Sequence, residues 1–195
     1  MIRTNINTNF PHHLNHCTIT CNTIYVADYT EQAKSLSIKR GTVLFDNHPP
    51  TDINYFTINN PNKLEVDGIP FDNKSFVKHD GIASQCECVI YPHCSNNYSW
   101  ICFIELKYSD KTKNNSKNLN KARLQLFKTR YYYISKGVFN KTNPCYLLAS
   151  LPLQSPPFAN MSLPPAYLLE MKRKHNIIIR FQNSIGIVDD KTMAI

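Results

Sequence analysis

The stretch WICFIELKY, residues 100–108, combines a strongly apolar run with two charges of opposite sign. Glu105 and Lys107 stand two positions apart among side chains that favour burial. Burying a charge costs free energy unless the charge is paired or binds a metal ion. Side chains alternate between the two faces of a β-strand, so Glu105 and Lys107 point to the same side. The stretch therefore predicts a buried strand that ends in a charged pair.

A second apolar run, QCECVIY (85–91), precedes this strand and contains one charged residue, Glu87. The connection PHCSNNY (92–98) is polar and turn-forming, so the two runs are predicted to form an antiparallel hairpin. In such a hairpin Glu87 lies beside Glu105, near one end of the sheet. Two neighbouring carboxylates repel each other unless a cation lies between them, and an all-oxygen set of ligands suits Mg²⁺.

The residues after the hairpin predict a long helix, SKNLNKARLQLFKTRYYYISK (116–136). Ser116 is the expected N-cap, and Gly137 is expected to end the helix. The apolar positions near one stripe of this helix predict its buried face: Leu119, Ala122, Leu126 and Tyr133.

The order of the predicted elements indicates the α/β class, with a mixed β-sheet flanked by helices. The other expected elements are a helix over 29–39 capped by Asp28, strands at 42–45 and 55–58, a hairpin or bent strand at 63–71 around a D-G turn signal, a strand at 144–152, a helix at 166–175, and one or two strands over 176–188. We expect a single domain over residues 1–195, with residues 1–22 irregular.

The net charge of +8 is confined to one part of the chain. The segment from Glu105 to Lys141 carries ten Lys or Arg and two Asp or Glu, so the remaining residues are neutral in sum. A concentrated basic segment indicates a polyanionic partner, with nucleic acid as the first candidate. A solvated helix face is the alternative explanation.

An acidic residue on one strand, an apolar strand ending in E-x-K, and a basic helix together resemble the PD-(D/E)xK nuclease superfamily. That superfamily includes restriction endonucleases, junction resolvases and nucleases of repair and defence. The likeness is carried by CECVIY (86–91), FIELKY (103–108) and ARLQL (122–126), within residues 80–135. It implies a restriction-endonuclease-like core, with the motif region at 80–150.

By this resemblance Glu87 and Glu105 hold Mg²⁺ (or Mn²⁺) with the backbone carbonyl of Leu106. Lys107 activates the attacking water, and Gln125 positions the scissile strand. The implied activity is hydrolysis of phosphodiester bonds, in DNA more than in RNA, in genome defence or a mobile element. A homodimer or a larger ATPase is the implied protein partner. The expected phosphate contacts come from the basic residues Lys111, Lys113, Lys117, Lys121, Arg123, Lys128 and Arg130.

The sequence departs from the superfamily pattern at the hairpin acid, which is commonly Asp after Pro and here is Glu87 after Cys86. Asp80 is the rival for this role if the strand begins earlier. A non-catalytic nucleic-acid-binding or assembly subunit on the same fold therefore stays open as an alternative. So does a simple ion pair between Glu105 and Lys107 at the rim of the sheet. A second E-x-K, Glu170 to Lys172, lies on an expected surface helix without a preceding acidic strand.

Seven cysteines, an odd number in a chain of this length, favour reduced thiols and a cytoplasmic setting over a disulfide framework. The cysteines and histidines at 86–94 and 12–21 lack the paired spacing of a structural zinc site. The sequence has no apolar leader at its start and no run of 18 apolar residues, so we expect no membrane partner.

Overall fold

The computed structural model describes residues 1–13, 16–30, 32, 37, 41–72, 75–78 and 81–194. The described helices are α1 (Ile2–Asn9), α2 (Asn115–Ser135) and α3 (Pro165–His175). In chain order the strands are β1 (Cys17–Ile19), β2 (Thr23–Asp28), β3 (Thr42–Asp46), β4 (Phe56–Asn59), β5 (Val66–Pro70), β6 (Val77–Lys78), β7 (Gly81–Ile82), β8 (Cys88–Pro92), β9 (Ile101–Leu106), β10 (Cys145–Ser150), β11 (Ile177–Phe181), β12 (Ser184–Ile187) and β13 (Met193–Ala194).

The described strands form a six-stranded sheet, a five-stranded sheet and the short β6–β7 pair. The six-stranded sheet has the order β1-β5-β8-β9-β10-β11, with antiparallel pairs from β1 to β9 and parallel pairs from β9 to β11. The five-stranded sheet has the order β13-β12-β4-β2-β3. The chain is thus a mixed α/β protein, as the sequence predicts.

The predicted hairpin and the predicted long helix are both confirmed. β8 pairs with β9 in antiparallel fashion, and α2 then connects β9 to the parallel strand β10. The N-cap of α2 is Asn114 and not Ser116, because a short 3₁₀ turn over Thr112–Asn114 begins the helix earlier. Gly137 follows the helix with a φ of +68°, a backbone conformation that favours glycine, so it ends the helix as expected.

The core has two layers because both faces of β9 are apolar and buried. Ile101 and Phe103 face α2, whose predicted buried stripe is confirmed and fully covered. Cys102 and Ile104 face the five-stranded sheet. The expectation of a sheet flanked by helices is therefore correct for one face only. The second face is covered by strands because alternating runs such as β2 and β4 offer one apolar side to the core.

The prediction of an irregular N-terminal segment is wrong, because residues 2–9 form α1 and residues 17–19 form β1. Ile2 and Ile6 stand four positions apart on one helix face and are fully buried against the sheet. The two isoleucines pack this helix on the sheet, and hydrogen bonds from the Ile2 amide to Ser95 Oγ and from Asn5 to the Val138 carbonyl add to its attachment. The spacing of Ile2 and Ile6 is easily missed because most residues of this segment are polar.

We expect Ile6→Ala to lower the free energy of unfolding by about 2–5 kcal/mol, because the substitution leaves a cavity in a packed core. Urea unfolding followed by circular dichroism measures the loss. Thr8→Ala is the matched control, since Thr8 is exposed on the same helix. Equal unfolding midpoints for the two variants would show that α1 does not pack as described.

Asp67-Gly68 does not form the expected turn and instead lies within β5. Asp67 is buried, and its Oδ1 accepts hydrogen bonds from Thr18 Oγ1 at 2.8 Å and His93 Nδ1 at 2.9 Å, with the Arg3 guanidinium at 3.3 Å. A Cβ at Gly68 would lie 2.4 Å from Leu44 Cδ1 of β3. Glycine therefore leaves room for the Leu44 side chain between the two sheets.

Most of the helix expected over 29–39 lies outside the described residues. Its expected cap, Asp28, is the last residue of β2. The Asp28 carboxylate accepts hydrogen bonds from the backbone N and the Oγ1 of Thr30, at 2.9 and 2.6 Å.

Among the helices that the structure describes, none combines the length and the apolar character needed to cross a bilayer.

Candidate active site

Glu105 is a fully buried carboxylate near the end of β9. Its Oε1 forms an ion pair with the Lys107 ammonium, so the pair that the sequence left open as an alternative is present, although Glu105 is buried. Its Oε2 is buried and has no hydrogen-bond partner among the described residues. Burial raises the pKa of Glu105 well above its usual range, the charge of Glu87 adds to this, and Lys107 opposes it. This carboxylate therefore favours either a proton or a further cation.

Glu87 lies beside Glu105, as the hairpin predicts. The register pairs Cys88 with Ile104, and the Glu87 amide donates to the Ile104 carbonyl at 3.0 Å, which places Glu87 at the level of Glu105. Glu87 is half-buried, and its Oε2 accepts a hydrogen bond from Thr42 Oγ1 at 2.7 Å. Burial, with the charge of Asp28, raises the pKa of Glu87 to about 7 against the opposing effects of Thr42 and Lys107.

A third acid, Asp28, comes from the five-stranded sheet and was not predicted as a site residue. Asp28 pairs with Thr42 across β2 and β3, and Thr42 in turn holds Glu87. The negative charge of Asp28 contributes to the raised pKa of both Glu87 and Glu105. The alternating run TIYVAD was the sequence signal for a strand ending in this acid.

The residues after Glu105 are fixed to both sheets. The Lys107 amide donates to the Ser150 carbonyl of β10 at 2.9 Å. The Tyr108 hydroxyl accepts a hydrogen bond from the Asp28 amide at 3.1 Å and donates to the Asn54 carbonyl at 2.7 Å. These contacts hold the end of β9 near the end of β2. We call Asp28, Glu87, Glu105 and Lys107, whose charges act on one another here, the seam.

Gln125, predicted to position substrate, contacts the chain just before Glu87. Its Nε2 donates to the Gln85 carbonyl at 2.8 Å. One turn later, Thr129 Oγ1 accepts a hydrogen bond from the Cys86 amide at 2.8 Å and donates to the Gln125 carbonyl at 3.0 Å. In the structure this side of α2 therefore positions the backbone that carries Glu87.

We expect Thr129→Val, which preserves shape, to lower the free energy of unfolding by about 1–3 kcal/mol, because the buried Cys86 amide loses its acceptor. Urea unfolding measures the change. Ser135→Ala is the control, since the Ser135 hydroxyl lies on the exposed side of the same helix. A midpoint for Thr129→Val equal to that of the control would contradict this role.

The other predicted site residues are placed as follows. Asp80 lies outside the described residues, so its rivalry with Glu87 stays a prediction. Leu106 is the last residue of β9, with its side chain in the core shared by the two sheets. Arg130 packs inward, with its guanidinium 5.8 Å from the centre of the Phe139 ring. Arg123 is half-buried, and the exposed basic residues are Lys111, Lys113, Lys117, Lys121 and Lys128.

The donor atoms fit a hard cation in kind. Glu87, Glu105 and Asp28 supply carboxylate oxygens, which Mg²⁺ and Mn²⁺ prefer, and one buried oxygen of Glu105 lacks a partner. The described residues nevertheless contain no group of three or more His, Cys, Asp or Glu placed closely enough to hold a metal ion. This applies equally to the cysteines and histidines; Cys86 and Cys88 pack into the two different core layers.

The second E-x-K lies on α3, with an exposed Glu170 paired to Lys174.

Comparison with known proteins gives no relative from which a function could be transferred. No protein-family model matches the chain, and no curated protein or solved structure matches it. The function must therefore be inferred from the side chains of this seam and from their surroundings.

Proposed function

We propose that this chain is a metal-dependent nuclease that hydrolyses phosphodiester bonds, with DNA as its substrate. One observation carries the proposal: Glu105 is a buried carboxylate with one oxygen on Lys107 and the other without a partner among the described residues, beside the second carboxylate of Glu87. Such an arrangement is electrostatically unfavourable by itself and becomes favourable when a cation or a proton joins it.

In this proposal Glu87 and Glu105, with the Leu106 carbonyl, are the residues that would hold Mg²⁺ or Mn²⁺. When bound, such an ion polarises a phosphoryl oxygen and makes water a stronger acid. Lys107 orients the attacking water and offsets the negative charge that develops on the phosphate. Thr42 keeps the Glu87 carboxylate in place through its hydrogen bond.

The charge distribution and the order of elements support the same proposal. The basic segment that begins at the site continues along α2, whose lysines are exposed. The succession of Glu87, the E-x-K strand and the basic helix is the pattern that carries the resemblance to the PD-(D/E)xK superfamily. A role in genome defence or a mobile element, and a homodimer or an ATPase as partner, belong to the proposal through that resemblance alone.

A non-catalytic nucleic-acid-binding subunit is the second candidate, and two observations favour it. The Lys107 ammonium is engaged by Glu105. The described acids also fall short of a three-ligand metal group. Both observations are consistent with a fold that binds nucleic acid without a catalytic metal ion.

The test is incubation of purified protein with linear duplex, circular duplex and single-stranded DNA, and with RNA, in EDTA, Mg²⁺ or Mn²⁺. Cleavage that requires a divalent metal supports the nuclease. Salt-sensitive binding without cleavage in either metal supports the second candidate. Cleavage of RNA alone would replace DNA as the proposed substrate.

A further inference from the structure

We infer that the outer face of α2 binds single-stranded DNA. Five residues of α2 recur at intervals of four and three positions, which places them along one side of the helix. All five are exposed, and we call them the outer stripe: Lys117, Lys121, Leu124, Lys128 and Tyr131. Leu124 is 57% exposed and Tyr131 is 65% exposed. The inference rests on the proposed function only in taking nucleic acid as the partner, and it does not require cleavage.

Among the residues that the structure describes, no acid neutralises the charge of this face. From Lys111 to Lys136 the chain carries eight Lys or Arg and no Asp or Glu. None of the ion pairs between described residues includes Lys117, Lys121 or Lys128. The stripe covers 15 residues, about 20 Å of helix, so it can follow several phosphates of one strand.

The two apolar members of the stripe distinguish a single strand from a duplex. In a duplex the faces of the bases are covered by stacking, and the outside offers phosphates and sugars. In a single strand the base faces are free and stack on exposed aromatic side chains. Tyr131 lies one turn from Lys128, so phosphate and base contacts can alternate along the stripe. An anionic membrane would require a continuous apolar face, and the continuous apolar face of α2 is buried against the sheet.

A cleft of about 350 Å³ lies where the stripe ends. The next position of the stripe is Ser135, which lines this cleft together with Lys136. Its walls also carry the rings of Phe10, Phe76 and Tyr132. An aromatic cleft beside a basic stripe suits an unpaired base, which a duplex does not present.

The test is fluorescence anisotropy in EDTA with a labelled single-stranded DNA, its duplex, and RNA of the same sequence. We expect Tyr131→Ala to weaken binding of the single strand about tenfold and to change duplex binding little, because only the single strand loses a stacking partner. Tyr131→Phe retains the ring and should bind like the wild type. Tyr98→Ala is the matched control, since Tyr98 is 63% exposed and lies on the connection between β8 and β9, outside the outer stripe.

Lys121→Ala should weaken binding to single strand and duplex alike, and should reduce the slope of log K against log salt by about 0.7 for the single strand. Lys191→Ala, an exposed lysine near the C-terminal strands, should leave both unchanged. The inference would be overturned if Tyr131→Ala and Tyr98→Ala bound the single strand with equal affinity. It would also be overturned if the wild type bound duplex more tightly than single strand, bound RNA tenfold more tightly, or preferred anionic vesicles. If the protein binds single-stranded DNA in this way but does not cleave it in Mg²⁺ or Mn²⁺, the nuclease proposal is wrong and the inference about the outer stripe is kept. If the protein cleaves DNA and Tyr131→Ala changes neither cleavage nor binding, the inference is wrong and the nuclease proposal is kept.

Discussion

Lys107→Ala is expected to reduce metal-dependent cleavage of DNA by about 10²–10⁴-fold. The substitution removes the ammonium that faces Glu105 and, in the proposed site, the group that orients water and offsets charge on the phosphate. In the proposal, substrate binding depends mainly on the exposed lysines of α2, so anisotropy should show a much smaller change than the cleavage rate. Initial rates at saturating Mg²⁺, with oligonucleotide binding measured in EDTA, separate the two effects.

Folding has to be checked alongside, because Lys107→Ala leaves the buried Glu105 without its partner. Lys107→Met keeps most of the side-chain length, and Lys107→Ala combined with Glu105→Gln removes both charges together. Thermal unfolding identifies which of these variants are folded. Lys191→Ala is the control for loss of an exposed lysine. Cleavage at the wild-type rate by any folded variant that lacks Lys107 would contradict the proposed role.

The second prediction with a large expected effect concerns the dependence of protein stability on pH and on divalent metal. The pKa of Glu87 is about 7 in the folded protein, compared with 4.5 for an ordinary glutamate. A carboxyl group whose pKa is raised by folding stabilises the protein fully below the unfolded pKa, and this stability is lost as the pH rises through the folded pKa. The window for Glu87 therefore runs from about pH 4.5 to pH 7, and its contribution between pH 5 and pH 8 is roughly 2–3 kcal/mol.

We expect Glu87→Gln to become more stable relative to the wild type by roughly 2–3 kcal/mol as the pH is raised from 5 to 8 in EDTA, measured by urea unfolding. Glutamine can still accept the hydrogen bond from Thr42 but carries no charge next to Asp28 and Glu105. The comparison with the variant is necessary because burial lowers the pKa of His13 to about 4, and this titration affects stability in the opposite direction.

Divalent metal should reverse part of this effect. At pH 8 Mg²⁺ or Mn²⁺ is expected to stabilise the wild type more than Glu87→Gln, since a cation offsets the repulsion between carboxylates and binds the folded state. Glu65→Gln, at an exposed glutamate outside the seam, controls for loss of a carboxylate as such. If the difference in the free energy of unfolding between wild type and Glu87→Gln does not change with pH, the pKa of Glu87 is not raised by folding.

The motif hairpin and α2 could be predicted because their signals are local. Two continuous apolar runs and a short polar connection predict the β8–β9 pairing, and this pairing brings Glu87 to Glu105. The 3.6-residue period of α2 likewise identifies the side that is buried. The candidate pair of carboxylates was therefore accessible from a continuous stretch of sequence.

The rest of the site depends on contacts between distant residues. Thr42 reaches Glu87 across 45 positions of sequence, and Asp28 joins them only because β2 pairs with β3. No short-range pattern encodes that meeting. At Asp67 the local turn signal was overridden, because Arg3, Thr18 and His93 bind one oxygen of the buried carboxylate within β5.

The hydrogen bond from Thr42 to Glu87 means that the motif segment is not a portable module. A fragment with the hairpin and α2 alone would keep all the residues that resemble the PD-(D/E)xK motif. It would nevertheless lose the hydroxyl that orients one acid and the neighbouring charge of Asp28, and it would expose Cys102 and Ile104 to water. Transplanting this chemistry to another scaffold would therefore require both layers of the protein.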